Sequence, residues 1–209
     1  MNQRTKRILM TVSGVLICGI GVGMYDFSNF GMDPYMVFAH GIWKHTSLDF
    51  GTLNMLVNMT LLVLVFFINR RKIGLGTLIN MFLLGYVVEF VASVFRANFP
   101  DPSLAFRILI LALGTVILCF SSALYFTADL GVSTYDAIAL TLAERTPVKF
   151  KFCRIGTDLI CVIIGFSLGA IVGAGTLVTA FFMGPLVSFF NHTVAEPMLG
   201  IRKDDVKKQ

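Results

Sequence analysis

The sequence predicts an all-α protein, a polytopic helical bundle that crosses a membrane about six times, in two inverted-topology repeats of three helices. Three observations predict this fold. The chain of 209 residues is 56% hydrophobic and only 14% charged, with a mean hydropathy of +0.80, whereas soluble domains are about 25% charged. Apolar stretches long enough to cross a hydrocarbon core of about 30 Å recur along the chain. The second half also repeats motifs of the first.

Six apolar stretches are predicted to be membrane-spanning helices. They are residues 8–27, 52–68, 75–95, 105–126, 152–172 and 175–190. None shows the alternation typical of barrel strands, and open sheet edges cannot face lipid, so helices are the expected structure. We therefore predict one membrane domain over residues 1–209. Its parts are repeat 1 at about 8–98, repeat 2 at about 105–192, and a cytoplasmic tail at 193–209.

The basic residues predict the orientation of the chain. If the N-terminus is cytoplasmic, 14 of the 17 Lys and Arg residues fall in segments on that side, and only Lys44, Arg96 and Arg107 fall outside. This bias follows the positive-inside rule. We expect a multi-pass protein of the cytoplasmic membrane with both termini in the cytoplasm. The net charge of +5 reflects this bias, so no nucleic-acid partner is expected.

Two pairs of segments repeat in the same order along the chain. Residues 125–135 match residues 25–35 at an offset of 100, and residues 173–178 match 74–79. The repeated tyrosines are Tyr25, Tyr35, Tyr125 and Tyr135. Because each half contains an odd number of predicted spans, the halves would enter the membrane from opposite sides. This arrangement is common among secondary transporters.

Each half also contains a segment too short to cross a bilayer. Residues 34–44 and 133–145 follow glycines that are expected to break the preceding helix, Gly31 and Gly131. Pro34 suits a first helical turn and Ser133 suits an N-cap. These segments are either half-helices that dip into the membrane or amphipathic helices that lie on its surface. Discontinuous helices at matching positions indicate a transporter site.

Arg154 and Asp158 are the first candidates for a substrate-binding site. They stand at positions i and i+4, on one helical face and within pairing distance. Ionisable groups at membrane depth are costly and face the bundle interior or a cavity. One interpretation is a guanidinium that binds a carboxylate or phosphate and is held by its acid. The other is a structural pair, or an arginine that reaches the headgroups.

The remaining candidates have alternative structural roles. Asp136 either stabilises a helix N-terminus or pairs with Arg154 or a cationic substrate. Asn54 and Asn58 either join helices through hydrogen bonds or bind substrate. Glu89 either relays a proton or pairs with Arg96. The tyrosine candidates, which either line a site or anchor at the membrane interface, are Tyr35, Tyr125 and Tyr135.

Several segments resemble the YczE-like family of bacterial integral membrane proteins, which is more distantly related to the YitT family. They are residues 130–137, Arg154 with an acid four residues on at Asp158, and residues 173–176 leading to Gly184 and Pro185. The first-half copies resemble the family more weakly. The family usually has Pro where this chain has Thr134, and often Glu in place of Asp158. The resemblance implies a bacterial cytoplasmic-membrane protein of about this length, with no implied substrate.

The predicted function is transport of a small solute whose identity the sequence does not give. The alternatives are an accessory, sensor or assembly partner without transport activity, and a substrate-binding subunit of an ATP-driven importer. No enzyme is expected, because the chain lacks a Gly-x-Ser-x-Gly motif, a His-Glu-x-x-His motif and a phosphate loop. We expect no catalytic residues, metal or cofactor. The expected partners are the lipid bilayer, a small-molecule ligand and a second copy in a homodimer.

Overall fold

The computed structural model describes residues 2–48 and 50–200, which form helices joined by short connections. The helices are α1 (Gln3–Ser28), α2 (Pro34–Trp43), α3 (Phe50–Ile68), α4 (Leu75–Asn98), α5 (Leu104–Ala128), α6 (Thr134–Arg145), α7 (Phe150–Ser167), α8 (Ala174–Phe190) and α9 (Glu196–Leu199). A 3₁₀ turn covers Arg70–Lys72 and a π-helical turn covers Asn191–Ala195. No strand occurs in the described ranges, and the all-α prediction is confirmed.

Four stretches of the described chain are long and apolar enough to cross a membrane. They are α1, α4, α5 and the continuous helical segment Ala174–Leu199, and Thr52–Ile68 in α3 is a shorter apolar helix. Helix α7 is less apolar because it carries Lys151, Arg154 and Asp158 within 18 residues. The chain is a multi-pass membrane protein, and a total of six spans stays a prediction.

Two boundaries in the second half of the chain differ clearly from those that the sequence predicts. Helix α7 ends at Ser167, earlier than predicted, because Gly169 adopts φ +83 and Ala170 donates its backbone N–H to Gly165 O at 2.9 Å. Such a left-handed glycine terminates a helix. Residues 193–199, predicted as tail, instead continue the helical segment, with Ala195 and Leu199 buried in the core. The rest of that predicted tail, residues 201–209, lies outside the described residues.

Helices α1 and α5 form the antiparallel centre of the bundle. Their backbones approach closely through glycines: a Cβ on Gly14 would lie 3.1 Å from Tyr125 Cβ, and one on Gly114 would lie 3.0 Å from Gly21 O. Small residues permit such contact between membrane helices. A second glycine pair on α1, Gly19 and Gly23, faces α4. Helix α1 is therefore packed between α5 and α4.

An arginine at the start of each central helix holds the end of the other. Arg7 Nη1 donates to Ala128 O at 3.3 Å, and Arg107 donates to Ser28 O at 2.8 Å and to Asn29 O at 2.9 Å. These contacts define two faces of the bundle. The Arg7 face is where α1 begins and α5 ends, and the Arg107 face is where α5 begins and α1 ends.

The first elbow, residues 29–33, packs on the beginning of α8. Phe30 O accepts a hydrogen bond from Gly175 N–H at 2.9 Å, and Met32 O accepts one from Thr176 Oγ1 at 2.6 Å. Gly31 adopts φ +120 in this turn and lies against the backbone of Gly173. A side chain at either glycine would therefore push the elbow away from α8.

The second elbow, residues 129–133, packs on the beginning of α4 in the same way. Leu130 O accepts from Gly76 N–H at 2.8 Å, and Val132 O accepts from Thr77 Oγ1 at 2.8 Å. Gly131 adopts φ +102. Each elbow thus contacts the last long helix of the opposite half of the chain, an exchange that a linear reading of the sequence does not reveal.

The two short helices start in the middle of the bundle and return to opposite faces. The N-terminal end of α2 reaches the middle of α3 through Tyr35, and that of α6 reaches the middle of α7 through Tyr135. Helix α2 ends near Gly169 O, a partner of Lys44 Nζ, and α6 ends near Ile68 O, a partner of Arg145. This geometry is that of interrupted helices within the bundle and not of helices lying on its surface.

The predicted orientation can be tested with reporter fusions. Alkaline phosphatase and fluorescent-protein fusions after Thr46, Arg71, Asn98 and Lys149 are expected to report outside, inside, outside and inside, because basic residues remain in the cytoplasm. Each fusion site follows a different predicted span. An inside signal at Thr46 or Asn98 would contradict the inverted arrangement of the halves.

Candidate functional site

A buried ion-pair cluster lies where α6 meets α7. Arg154 Nε donates to Asp158 Oδ2 at 3.1 Å, and Arg154 Nη1 donates to Asp136 Oδ1. Only 5% of Arg154, 6% of Asp136 and 0% of Asp158 is exposed. Three charges this deeply buried are tolerated only when they are paired. The predicted pairing of Arg154 with Asp158 occurs, and so does the alternative pairing of Asp136 with Arg154.

The Asp136 carboxylate is held by hydroxyl groups as well as by the guanidinium. Tyr125 Oη donates to Asp136 Oδ2 at 2.5 Å, and Ser133 Oγ donates to the same oxygen at 2.6 Å. Ser133 Oγ also accepts from the Asp136 backbone N–H at 3.1 Å, as an N-cap does. Ser133 therefore both caps the start of α6 and orients the Asp136 carboxylate.

Tyr135 connects the ion pairs to the centre of the bundle. Its hydroxyl donates to Asp158 Oδ1 at 2.5 Å, and the guanidinium carbon of Arg154 lies 4.8 Å from the centre of its ring. Arg154 Nη2 faces the sulfur of Met183 at 3.4 Å. The guanidinium is thus already neutralised by two carboxylates, which makes it a poor site for an anionic substrate.

A second cluster, made of amides, lies on α3 beside the first. Tyr35 Oη donates to Asn54 Oδ1 at 2.8 Å and accepts from Asn58 Nδ2 at 2.7 Å. Thr134 Oγ1 donates to Asn58 Oδ1 at 2.9 Å. The rings of Tyr35 and Tyr135 are 5.5 Å apart, so the two clusters meet at the N-terminal ends of α2 and α6.

The two clusters occupy corresponding positions along the chain. Tyr35 and Tyr135 are related by an offset of 100 residues. At the same offset, Asn54 corresponds to Arg154 and Asn58 corresponds to Asp158. Both pairs stand out in the sequence, but the relation between them does not, because the residue types differ. Extending the register of the tyrosine motif through α3 and α7 would have revealed it.

The first half departs from the second at the acid. Met36 stands at the position that corresponds to Asp136, and Tyr25 corresponds to Tyr125. Because methionine offers no carboxylate, the Tyr25 hydroxyl has no hydrogen-bond partner in the described structure. Only 5% of Tyr25 is exposed. An acid occurs instead at Asp33, whose Oδ1 accepts from the backbone N–H groups of Tyr35 at 3.0 Å and Met36 at 3.2 Å. Asp33 and Tyr25 are not among the site residues that the sequence predicts.

Glu89 lies away from both clusters. Its side chain is exposed on α4, and Arg96 pairs instead with Asp26 at 2.5 Å. The predicted pairing of Glu89 with Arg96 is wrong. Seven residues on a helix span about 10 Å, and Asp26, at the end of α1, lies closer. The other site candidates are all in the two clusters: Asn54, Asn58, Tyr35, Tyr125, Tyr135, Asp136, Arg154 and Asp158.

The clusters offer hydrogen-bonding and ionic contacts but no metal centre. Across residues 2–48 and 50–200, no group of three His, Cys, Asp or Glu side chains is placed to hold a metal ion. Amides, phenols and paired charges at membrane depth can instead bind a polar solute in place of its water. The amide cluster is the accessible part, because Tyr35, Asn54 and Asn58 are only partly buried.

Three relatives are similar over most of this chain. A Haemophilus influenzae protein named "Uncharacterized protein" is 28% identical over 190 residues, which cover 91% of this chain and 85% of the relative. The Bacillus subtilis "Uncharacterized membrane protein YczE" is 24% identical over 85% of this chain and 81% of the relative. The B. subtilis "Uncharacterized protein YyaS" is 23% identical over 85% and 88%, respectively. No solved structure matches.

The match to YczE confirms the family resemblance that the Arg154 and Gly131 segments predict. A family model, described as a family of unknown function (DUF6198), matches residues 5–192. That range includes both elbows and both polar clusters. The chain therefore belongs to this DUF6198 family of YczE-like membrane proteins.

Proposed function

We propose that the protein is a small-solute transporter of the bacterial cytoplasmic membrane. The observation that carries the proposal is the meeting of two polar clusters at the N-terminal ends of two interrupted helices in the middle of the bundle. Transporters bind their substrates at such sites. A purely structural role would not require two helices to be broken inside the bundle.

Matched contacts in the two halves support an inverted repeat as the basis of transport. The elbow contacts of Phe30 with Gly175 and of Leu130 with Gly76 correspond, and so do the arginine contacts at the helix ends. Two related halves around one central site can expose that site alternately to either face of the membrane.

The two clusters have different roles in this proposal. Tyr35, Asn54 and Asn58 bind the solute, because these three residues are only partly buried. Arg154 and its two carboxylates are almost fully buried and set the position and electrostatic potential of Tyr135. The solute therefore contacts mainly neutral hydrogen-bonding groups beside a paired charge.

A thermal-shift screen tests whether the central site binds a solute. Purified protein in detergent is mixed with a library of amino acids, sugars, nucleosides and organic amines. A ligand at a hundredfold excess over Kd stabilises the folded state by about 2.7 kcal/mol, a melting shift of about 5 °C or more. We expect at least one dose-dependent shift in the wild type and about tenfold weaker binding in Tyr35→Phe, which removes one hydroxyl contact.

The matched control is Tyr86→Phe, which removes a phenol that is 76% exposed on α4. It is expected to leave the shift unchanged. A counterflow assay in proteoliposomes then tests whether the protein moves the bound compound across the membrane. A library without hits, or hits insensitive to Tyr35→Phe, would count against this site and favour the accessory role. Stable co-purification with an ATPase would favour the importer subunit.

A further inference from the structure

The two interrupted helices end in corresponding contacts. Arg145, at the end of α6, donates to Ile68 O at the end of α3. His45, just after the end of α2, lies with its Nε2 3.2 Å from Leu168 O at the end of α7. At the offset of 100, His45 corresponds to Arg145 and Leu168 corresponds to Ile68. Each short helix is therefore fastened at its end to a longer helix of the opposite half of the chain.

The end of α6 has ionic contacts that the end of α2 does not have. Glu144 Oε1 lies 2.5 Å from Lys72 Nζ, and Glu144 Oε2 accepts from Asn69 Nδ2 at 3.0 Å. The residue of the first half that corresponds to Glu144 is Lys44. Its Nζ donates to Gly169 O and forms no ion pair in the described part of the chain. The two ends are thus related in position and different in strength of contact.

The packing along the two helices differs in the opposite sense. Helix α2 lies close to α7, since a Cβ on Gly41 would lie 2.8 Å from Gly165 Cα. The corresponding residues of α6 and α3 are Thr141 and Val65, whose side chains keep the backbones apart. The contact of α6 with α3 is accordingly less extensive than that of α2 with α7. Helix α2 is held along its length, whereas α6 depends on the contacts at its end.

The start of α6 is anchored and its end is not. In the second elbow, Val132 O accepts from Thr77 Oγ1 of α4 at 2.8 Å. Asp136, in the first turn of α6, is paired with Arg154 of α7. At the other end, the Glu144 side chain is 51% exposed. A pivot about the second elbow would therefore move the end of α6 and leave the buried ion pairs in place.

The end of α6 covers a path along α3 to the amide cluster. Near the start of α6, Thr134 Oγ1 donates to Asn58 Oδ1 at 2.9 Å. Towards its end, Thr141 Oγ1 accepts from Asn69 Nδ2 at 3.4 Å. Leu61 lies between these two contacts, one turn from Asn58 on the same face of α3. Movement of the end of α6 away from α3 would uncover Leu61 and then Asn58.

We propose that α6 is a gate that pivots at the second elbow, and that Glu144 is the latch that keeps this gate shut at the Arg7 face. Opening would give a solute access from that face to Tyr35, Asn54 and Asn58. The inference rests on the proposed function for its purpose, since the gate would admit the transported solute. The latch itself is measurable without a solute.

Two cysteines at corresponding positions report on the two helices. Leu61→Cys, combined with Cys161→Ser, places a thiol beneath α6. The native Cys161 corresponds to it and lies one turn from Gly165, on the face of α7 that packs against α2. The other cysteines are buried: Cys18, Cys119 and Cys153. The experiment measures the rate at which a water-soluble maleimide labels each reporter in the full-length protein in nanodiscs, after subtraction of the rate in Cys161→Ser alone.

Glu144→Ala is expected to raise the labelling rate at position 61 about fivefold or more, because it removes a partly exposed ion pair and a charged hydrogen bond. Glu144→Gln keeps an acceptor for Asn69 and is expected to give a smaller rise. The rate at Cys161 is expected to change by less than about twofold. Lys44→Ala, the matched control at the corresponding position, is expected to leave both rates unchanged.

High salt tests the latch without a substitution in it. At about 1 M salt the Debye length is about 3 Å, which weakens an exposed ion pair. The rate at position 61 is therefore expected to rise with salt when Glu144 is present. In Glu144→Ala it is expected to be insensitive to salt. This comparison decides the proposal even if Glu144→Ala does not fold.

The results that would overturn the gate are specific. They are a rate at position 61 that responds neither to Glu144→Ala nor to salt, an equal rise at both reporters, and an equal rise in Lys44→Ala. If a compound moves in the counterflow assay while position 61 stays protected in Glu144→Ala, the gate fails and the transport proposal stands. If Glu144→Ala exposes position 61 and no compound moves, the gate stands and the transport proposal fails.

Discussion

Replacement of Arg154 by alanine is expected to lower the free energy of unfolding by about 3–5 kcal/mol, because it leaves two carboxylates buried without their cation. Both acids are less than one-tenth exposed, so bulk solvent does not screen their charges. Arg154→Lys keeps the charge but loses the two-sided contact with Asp136 and Asp158. We therefore expect it to fall between wild type and alanine. Unfolding by SDS in mixed micelles measures these differences.

The first half of the chain supplies a rescue for this variant. Arg154→Asn combined with Asp158→Asn and Asp136→Met gives α6 and α7 the residues found at the corresponding positions of the first half. This triple variant is uncharged at all three positions, and we expect it to regain most of the lost stability. It is expected to lose the ligand response. An Arg154→Ala variant as stable as wild type would show that the ion pairs contribute nothing to stability.

Gly76→Ala is expected to destabilise the protein by about 3 kcal/mol or to prevent folding, the upper end of the cost of overpacking. The added Cβ would overlap the carbonyl oxygen of Gly131 in the second elbow. The obstacle is backbone, and Gly76 N–H is itself hydrogen-bonded to Leu130 O, so neither side can move aside. Gly173→Ala meets Phe30 O at the first elbow and is expected to have a similar effect.

Two other helical glycines provide matched controls. A Cβ on Gly85 or on Gly156 has no atom within 4 Å in the described structure. Gly85→Ala and Gly156→Ala are therefore expected to be neutral or slightly stabilising, since alanine favours helix over glycine. Comparison of the four variants by expression level and melting temperature tests the elbow contacts. Equal behaviour of Gly76→Ala and Gly85→Ala would contradict them.

The sequence predicts the helices well where composition determines them. Lipid-facing helices need long apolar runs, so α1, α4 and α5 were predictable to within a few residues. The end of α7 was not, because the left-handed turn at Gly169 leaves no mark on hydropathy. Residues 193–199 follow the last apolar stretch, which ends at residue 190, and hydropathy therefore gives no sign that they are helical. In the structure Asn191 Oδ1 accepts a hydrogen bond from Thr127, which keeps the helix on the bundle.

The candidate site was predictable only where its contacts are local. The pair of Arg154 with Asp158 follows from helical spacing, whereas the approach of Tyr35 to Tyr135 depends on how two distant segments fold together. The pairing of Glu89 with Arg96 was not predictable, because an acid in an apolar run gives no sign of which way it faces. The inverted repeat stays a prediction that matched contacts support.

The exchanged elbows impose an order on biogenesis. Met32 O receives its hydrogen bond from Thr176, 144 residues later in the chain, whereas Val132 O receives one from Thr77, which the ribosome has made 55 residues earlier. The second elbow can therefore dock as soon as it is synthesised. The first elbow must wait, with Phe30 O and Met32 O lacking these partners, until α8 has been synthesised. A nascent chain that stops before α8 is thus an open intermediate, and α8 is the helix that closes the protein.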